Sequence, residues 1–429
     1  MIFNFLGNIN GLRISTCTSL SSISEITHEL LTAGIKSTLE GNEAFNQTQA
    51  AWRFFNNERC ELTELIKPIK DSALNQSEQL CVNYNLIAHD WSGLIYKKHT
   101  NKKDRFGVHD EKELGYELQA SLLLNDKNGF PIAPIALNVV TKTEVLSTYR
   151  EESNLDETHL EELAKRVDYI ETLGFKKPLV HIVDREGDSV QLMRILDDKK
   201  WLLRSRSNSC ISYQGTSLRV DKLAEQLIFT HSRMINYKGQ KAEQFLSEAE
   251  ITITRESQPK KKVDEKRHKI KGEAVKCRLI VSRVEKEGKV LAWWYLATNV
   301  KEVCMADIAL WYYWRWSIES FFKLLKSAGM QLESWQQETG KAIARRLLVG
   351  CMACVYVWQL AKTEGPEAGE LKKLLIRLSG RQMKYGVDFT RPALFAGLAS
   401  LLNALDVFNK YEVNNLRQML LNVIGEAFV

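Results

Sequence analysis

Along the chain, the spacing of apolar residues changes period several times, and each change marks an element. From Asn83 the pattern turns from helical to strand-like: Leu86-Ile87-Ala88 ends at Asp90, Tyr116 to Leu124 follows, and Pro131 to Val140 comes after Asn128-Gly129. Short apolar runs between turn residues predict strands, and Asn-Gly between two of them predicts a hairpin. Leu155 to Leu173 then reads as an amphipathic helix, with Leu160, Leu163, Val167 and Ile170 on one face and Gly174 in the C-cap position. A buried strand, Leu179-Val180-His181-Ile182-Val183, stops at Asp184; Ser189 to Leu196 reads as helix and Trp201-Leu202-Leu203 as a further strand.

The resulting order is three strands, helix, strand, helix, strand. It implies an α/β fold with a mixed sheet covered by helices, the order found in ribonuclease-H-like domains. Between Asn208 and Asn299 helical periodicity is lost. Ala249 to Thr254, Cys277 to Val284 and Val290 to Ala297 alternate instead, which predicts a β-rich insertion at about 207–300. Within it, Pro259 to Lys271 (PKKKVDEKRHKIK) is too polar to pack, and reads equally as a solvated loop or as a phosphate contact. Helical periodicity returns from Ala306 and includes Ala342 to Leu360. The expected division is a helical N-terminal region at 1–78, a core with its insertion at 79–335, and a helical region at 336–429 able to form an interaction domain.

Composition narrows this modestly. The chain of 429 residues, 44% hydrophobic, can bury the cores of one to three domains, which argues against a disordered protein. A formal charge of +6, from 59 basic against 53 acidic side chains, suits a phosphate-bearing partner but decides nothing. The eight cysteines include no second CxxC beside Cys351 and Cys354, so they read as reduced core residues rather than a zinc site. With no stretch reaching the about 20 apolar residues of a membrane span and no cleavable leader pattern, the expectation is a cytoplasmic protein, nucleoid-associated when bound to DNA.

Chemistry concentrates in three places. Around Ala306 to Ala328, Tyr312, Arg315, Glu319, Lys323 and Lys326 are spaced three, four, four and three apart. At about 100° per residue they share an arc of roughly 80°. The remainder of that helix (Trp311, Trp314, Trp316, Ile318, Phe321, Phe322, Leu324, Leu325) is apolar, so it is expected to be buried with the polar stripe lining a groove. The bland alternative is a solvated face on which Glu319 pairs with Arg315 and Lys323. Asp90 and Asp184 each follow an apolar strand, where a carboxylate can face a cleft. With Gly187 and Ser189 following, Asp184 reads equally as a helix cap. Three carboxylates from separate elements are what oxygen-seeking Mg²⁺ requires.

These motifs bring a resemblance. Tyr312-x2-Arg315-x3-Glu319-x6-Lys326, within YYWRWSIESFFKLLK, resembles the Y-R-E-K signature of bacterial DDE transposases of the insertion-sequence-four group at all four positions. HDWSG resembles the block of that family's first aspartate, VDREGDS the second, and AWRFFNNERCEL at 51–62 a stretch of its N-terminal region. Blocks in the right order are more specific than a lone motif.

The resemblance implies a ribonuclease-H-like core, two Mg²⁺ ions (Mn²⁺ substituting) held by Asp90, Asp184 and Glu319, and cut-and-paste chemistry by a homodimer on transposon-end DNA with capture of target DNA. Arg315, Lys323 and Lys326 would contact phosphates and Tyr312 would help hold a 5′ phosphate. If the route passes through a DNA hairpin, Trp293 or Trp294 in LAWWYLATN would stack a flipped base; being adjacent on a strand they face opposite sides, and a buried tryptophan is the equal alternative. His89 is read as a packing residue or one supporting a ligand, not a ligand. One departure concerns the start: the family carries a longer basic segment there, whereas residues 1–40 hold Arg13 and Lys36 as their basic residues. The alternatives are a DNA-binding regulatory derivative and a metal-dependent nuclease on the same fold.

Overall fold

The runs read as strands form strands because both their faces are covered. In the computed structural model, which describes residues 41–151, 155–257 and 269–424, these are β1 (Asn85–Ile95), β2 (Phe106–Gly107), β3 (Leu114–Asn125), β4 (Pro131–Val140), β5 (Val145–Ser147), β6 (Leu179–Val183) and β7 (Lys200–Ser205). β8 (Cys210–Tyr213), β9 (Thr216–Arg219), β10 (Thr230–Tyr237), β11 (Gln240–Ile253), β12 (Val275–Lys286) and β13 (Lys289–Thr298) follow. β4 and β6 are buried at nearly every position, which is why their sequence shows continuous apolar runs.

The strand order is β5-β4-β3-β1-β6-β7-β13-β12-β11-β8-β9, with β10 on β11 and β2 on β3. β1, β6 and β7 run parallel, while β3–β4 and β4–β5 are antiparallel. Parallel neighbours need crossover connections; the helices His159–Glu171 and Val190–Ile195 lie in them. The fold is thus α/β with a large mixed sheet. β13 pairs antiparallel with β7, Tyr295 opposite Ser205, so the insertion strands continue the core sheet. One apolar core accordingly runs from Leu163 and Val167 under the sheet to Ile251, Leu279 and Val281 in the insertion.

The helix expected from Leu155 starts later, because Thr158 caps it. The Thr158 side chain accepts from the Glu161 amide at 3.3 Å and the Glu161 carboxylate accepts from the Thr158 amide at 2.8 Å. A larger departure lies at 306–328, expected as one helix. It is Met305–Trp314, Ser317–Lys323 and a π turn at Leu324–Ala328. At the break the Arg315 amide is shared between the carbonyls of Trp311 and Tyr312, and the Trp316 and Ile318 amides bond three residues back. This tightened turn re-aims the helix. It swings Trp316 outward to 53% exposure, against the expected burial, and keeps Arg315 inside.

Contacts divide the described residues into two compact units that interleave in sequence. One comprises the described residues up to Ile69, Gly93–Tyr116 and those from Phe321; the other comprises the described residues of Lys70–Ser92 and Glu117–Ser320. In the first, buried Arg345 donates to the carbonyls of Phe55 (2.9 Å) and Cys60 (2.8 Å), fixing the AWRFFNNERCEL stretch against the helix Gly340–Lys362. By length and composition that helix could cross a membrane, contrary to the expectation that no stretch would be long and apolar enough. Yet 78% of its apolar window is buried within the protein, as in a core helix. Stretch 259–271 falls largely outside the described residues, as do Arg13 and Lys36.

The hairpin read from Asn128-Gly129 has a second reason for its glycine. Gly129 has φ +67°, and a Cβ there would lie 2.1 Å from Trp314 Cγ, while Ser317 Oγ donates to the Gly129 carbonyl at 3.2 Å. Gly129→Ala is therefore expected to destabilise the protein by roughly 2 kcal/mol or more, through both backbone strain and overpacking. Urea unfolding measures this, and an unchanged midpoint would refute the tight contact.

Candidate active site

Strand register brings the first two carboxylates together. β1 and β6 pair in parallel from Asn85 opposite Leu179 to Ala88 opposite Ile182. The pairing ends two residues before Asp90 and Asp184, and the two acids lie near enough for Asp184 to raise the Asp90 pKa. Asp90 does not end its strand, as expected from the sequence; β1 continues to Ile95. What ends there is the pairing, because β6 stops at Val183 and the chain turns away. In that turn Asp184 Oδ1 accepts from the Glu186 amide at 2.8 Å, capping the short helix Arg185–Gly187. The capping reading of Asp184 is thus realised in the same residue that flanks Asp90.

Arg315 ties the third carboxylate to this pair. Its Nη1 donates to Asp90 Oδ2 at 3.0 Å and its Nη2 to Glu319 Oε1 at 3.2 Å. The arginine side chain is 6% exposed and that of Asp90 17%, so this is a largely desolvated ion pair. Burial pushes the Asp90 carboxyl up to about 6, against Arg315 and the Trp91 amide, which pull it down, and with Glu319 and Asp184, which push it further up. For Arg315, burial works against the charged form, but Tyr312, Asp90, Asp184 and Glu319 outweigh it and raise its pKa. The cluster therefore carries more negative charge than one guanidinium neutralises.

The other sequence candidates fare differently. Tyr312 is buried, its hydroxyl facing Arg204 without reaching hydrogen-bond geometry, and burial raises its pKa. Trp294 is buried too, its ring 6.2 Å from those of Tyr312 and Tyr237. Trp293, on the opposite face, packs on Phe229 and Tyr295. Trp294 is thus buried, whereas Trp293 is partly exposed. Lys323 and Lys326 belong to the first unit, where Lys323 is exposed and Lys326 donates to the Gly93 carbonyl and lies 3.8 Å from Glu333. Arg204 and exposed Trp316 were missed by pattern reading. The signal for Trp316 was its position between Arg315 and Glu319, which a straight helix would have buried.

Asp184 opens onto a cleft of about 650 Å³ lined also by Arg185, Arg206, Asn208 and Arg219. A larger cleft of about 740 Å³ shares Glu186, Arg206 and Asn208 with it. Basic side chains along a groove can follow a phosphate chain. His89 is no ligand here. Fully buried, it bonds Ser121 Oγ and His181 Nδ1, both at 2.9 Å, and burial lowers its pKa well below the usual histidine value. Cys81, Cys277, Cys351 and Cys354 are buried thiols, as expected, but Cys210 and Cys304 are exposed rather than core residues.

Three carboxylates supply the hard oxygen donors that Mg²⁺ favours, and their surplus charge suits a cation. Among the described residues, however, no group of three His, Cys, Asp or Glu side chains is drawn together into a ready coordination set. Arg315 holds Asp90 and Glu319 in that role instead. By donor chemistry the residues fit the ion. No protein-family model matches the chain, and no curated protein does.

The raised Asp90 pKa has a sign for stability. With a folded value of about 6 above its ordinary 3.8, the native state holds the proton more tightly, so the stability this group contributes is present below about pH 4 and lost as pH rises through about 6. In metal-free buffer Asp90→Asn should stabilise the protein at neutral pH by on the order of 2 kcal/mol, with the gain vanishing near about pH 4. Denaturation at the two pH values checks this. Equal destabilisation at both would mean that pairing with Arg315 outweighs desolvation.

Proposed function

We propose that the chain is a DNA transposase of the DDE type, similar to the insertion-sequence-four group, built on a ribonuclease-H-like core. The observation that carries the reading is the meeting of Asp90, Asp184 and the Arg315–Glu319 pair at one end of the β1–β6 pairing. The order β4-β3-β1-β6-β7, with β1, β6 and β7 parallel and β3–β4 antiparallel, supports the fold assignment.

Asp90, Asp184 and Glu319 would hold two Mg²⁺ ions, or Mn²⁺, whose chemistry is to activate a water or 3′-hydroxyl and stabilise the leaving oxygen of a phosphodiester. The protein's own contribution is placement. Arg315 already presents two nitrogens to two separate oxygens, and a DNA phosphate offers the same fork a bidentate acceptor. Arg185, Arg206 and Arg219 around Asp184 would guide the strand by its backbone, which positions DNA without reading its sequence. Transposon ends and target DNA are the partners on this reading, with a homodimer assembled on DNA.

The test is cleavage of DNA carrying the element's own flanking ends, with Mg²⁺ or Mn²⁺, by the natural protein and by Glu319→Gln at matched DNA binding. The expected outcome is 3′-end nicking and joining to a target plasmid, with about 100-fold or greater loss in the variant. Nicking without joined products would favour a nuclease, and binding without cleavage a regulatory derivative. Equal cleavage by the variant would remove Glu319 from the site.

A further inference from the structure

Asp188, four residues beyond Asp184, makes bonds that no part of the proposed chemistry uses. Its side chain is 1% exposed. Oδ1 accepts from Arg255 Nη2 at 2.6 Å, and Oδ2 accepts from the Arg206 amide at 2.8 Å and from Ser209 Oγ at 2.6 Å. A buried carboxylate so fully satisfied is an anchor rather than a reactive group. All its partners belong to the segment that enters the insertion and to Arg255, just beyond β11.

The other end of the same stretch is held in a similar way. Arg194, in the helix after the turn, donates to the carbonyls of Glu273 at 2.8 Å, Gly272 at 3.1 Å and Arg255 at 3.2 Å. Immediately before both fixings lies the tight turn that orients Asp184, closed by the Gly187 amide on the Asp184 carbonyl at 3.1 Å and the Glu186 amide on Asp184 Oδ1 at 2.8 Å, and joined to Asp188 by that residue's amide on the Arg185 carbonyl at 3.3 Å. The insertion therefore holds the residues that directly follow the Asp184 turn through two guanidinium contacts.

We propose that Asp188 and Arg255 are positioning residues: their ion pair is a latch by which the insertion sets the orientation of the Asp184 carboxylate. The inference rests on reading Asp184 as a functional carboxylate and goes beyond it by giving the insertion a part in the site. Loosening the latch leaves Asp184 in place in sequence but frees its turn. The effect should be local, because the core strands β6 and β12 keep their own pairings.

Hydrogen exchange on the full chain, comparing the natural protein with Arg255→Ala, Arg255→Lys and Asp188→Asn, tests this without any need for activity. The latch predicts at least about tenfold faster exchange at the Glu186 and Gly187 amides in Arg255→Ala and Asp188→Asn, partial recovery in Arg255→Lys, and unchanged exchange in β6 and β12. In the cleavage assay the same variants should need about tenfold more Mn²⁺ for half-maximal rate, with the saturated rate within a few fold. Uniformly faster exchange across the sheet in every variant, Arg255→Lys included, would overturn the latch in favour of a merely structural pair. Unchanged exchange at Glu186 and Gly187 would overturn it too. If the natural protein cuts no DNA, the exchange experiment still decides the latch, while that failure falls on the proposed function.

Discussion

Two acids brought near one another where the pairing of two parallel strands ends, and then half-buried, are the constraint around which the rest of this site is arranged. The register of β1 against β6 brings them near one another: with Ala88 facing Ile182, both acids follow the end of the pairing by two residues, and Asp184 raises the Asp90 pKa. Like charges near one another repel, and burial removes the water that would screen them. One guanidinium answers part of that cost. Arg315 is drawn into a buried position by Asp90, and the helix break at Arg315 and Trp316 lets it reach there.

The helix that leads into that break follows directly on the insertion. Because β13 returns to pair with β7, the chain re-enters the core beside β6 and β7 and begins the helix Met305–Trp314 shortly afterwards. Trp294 in the middle of β13 packs on Tyr312 in that helix, and Gly129 in the β3–β4 hairpin makes room for Trp314. Aromatic packing thus holds the helix on two sides, and Arg315 just beyond it meets Asp90. The segment between β7 and the helix is a structural extension of the core sheet and a means of aiming Arg315.

Much of this was legible in the sequence because local rules carried it. Alternating and continuous apolar runs gave β1, β3, β4, β6 and β7, Asn128-Gly129 gave the hairpin, and Gly174 marked a helix end; each of these signals lies within a few residues of the feature it specifies. What local pattern could not show were effects of residues distant in sequence. The continuity of insertion and core depends on β13 finding β7, and the interleaving of the two units on segments such as Gly93–Tyr116 and Phe321 onward finding one another. The helix read as continuous through Trp316 carries no proline or glycine to announce its break. Its cause, an arginine pulled toward an aspartate on another strand, has no local signature. The clamp on Asp188 was invisible for the same reason, since Arg255 stands 67 positions away.

The stripe of Tyr312, Arg315, Glu319, Lys323 and Lys326 invited two readings, a solvated face of paired charges or the lining of a site, and Arg315 shows why these were never exclusive. Its bond to Glu319, four residues on, is what the bland reading requires, and on an exposed helix it would contribute only a few tenths of a kcal/mol. The same guanidinium is buried and bonds Asp90, 225 positions away, which a solvated face has no reason to do. A helix that needed only surface pairing would not desolvate an arginine, since that costs more than the pair returns. The burial of Arg315 between two carboxylates is therefore a reason to read this cluster as a site built to bring negative charge together, with the arginine holding it until a partner of suitable charge arrives.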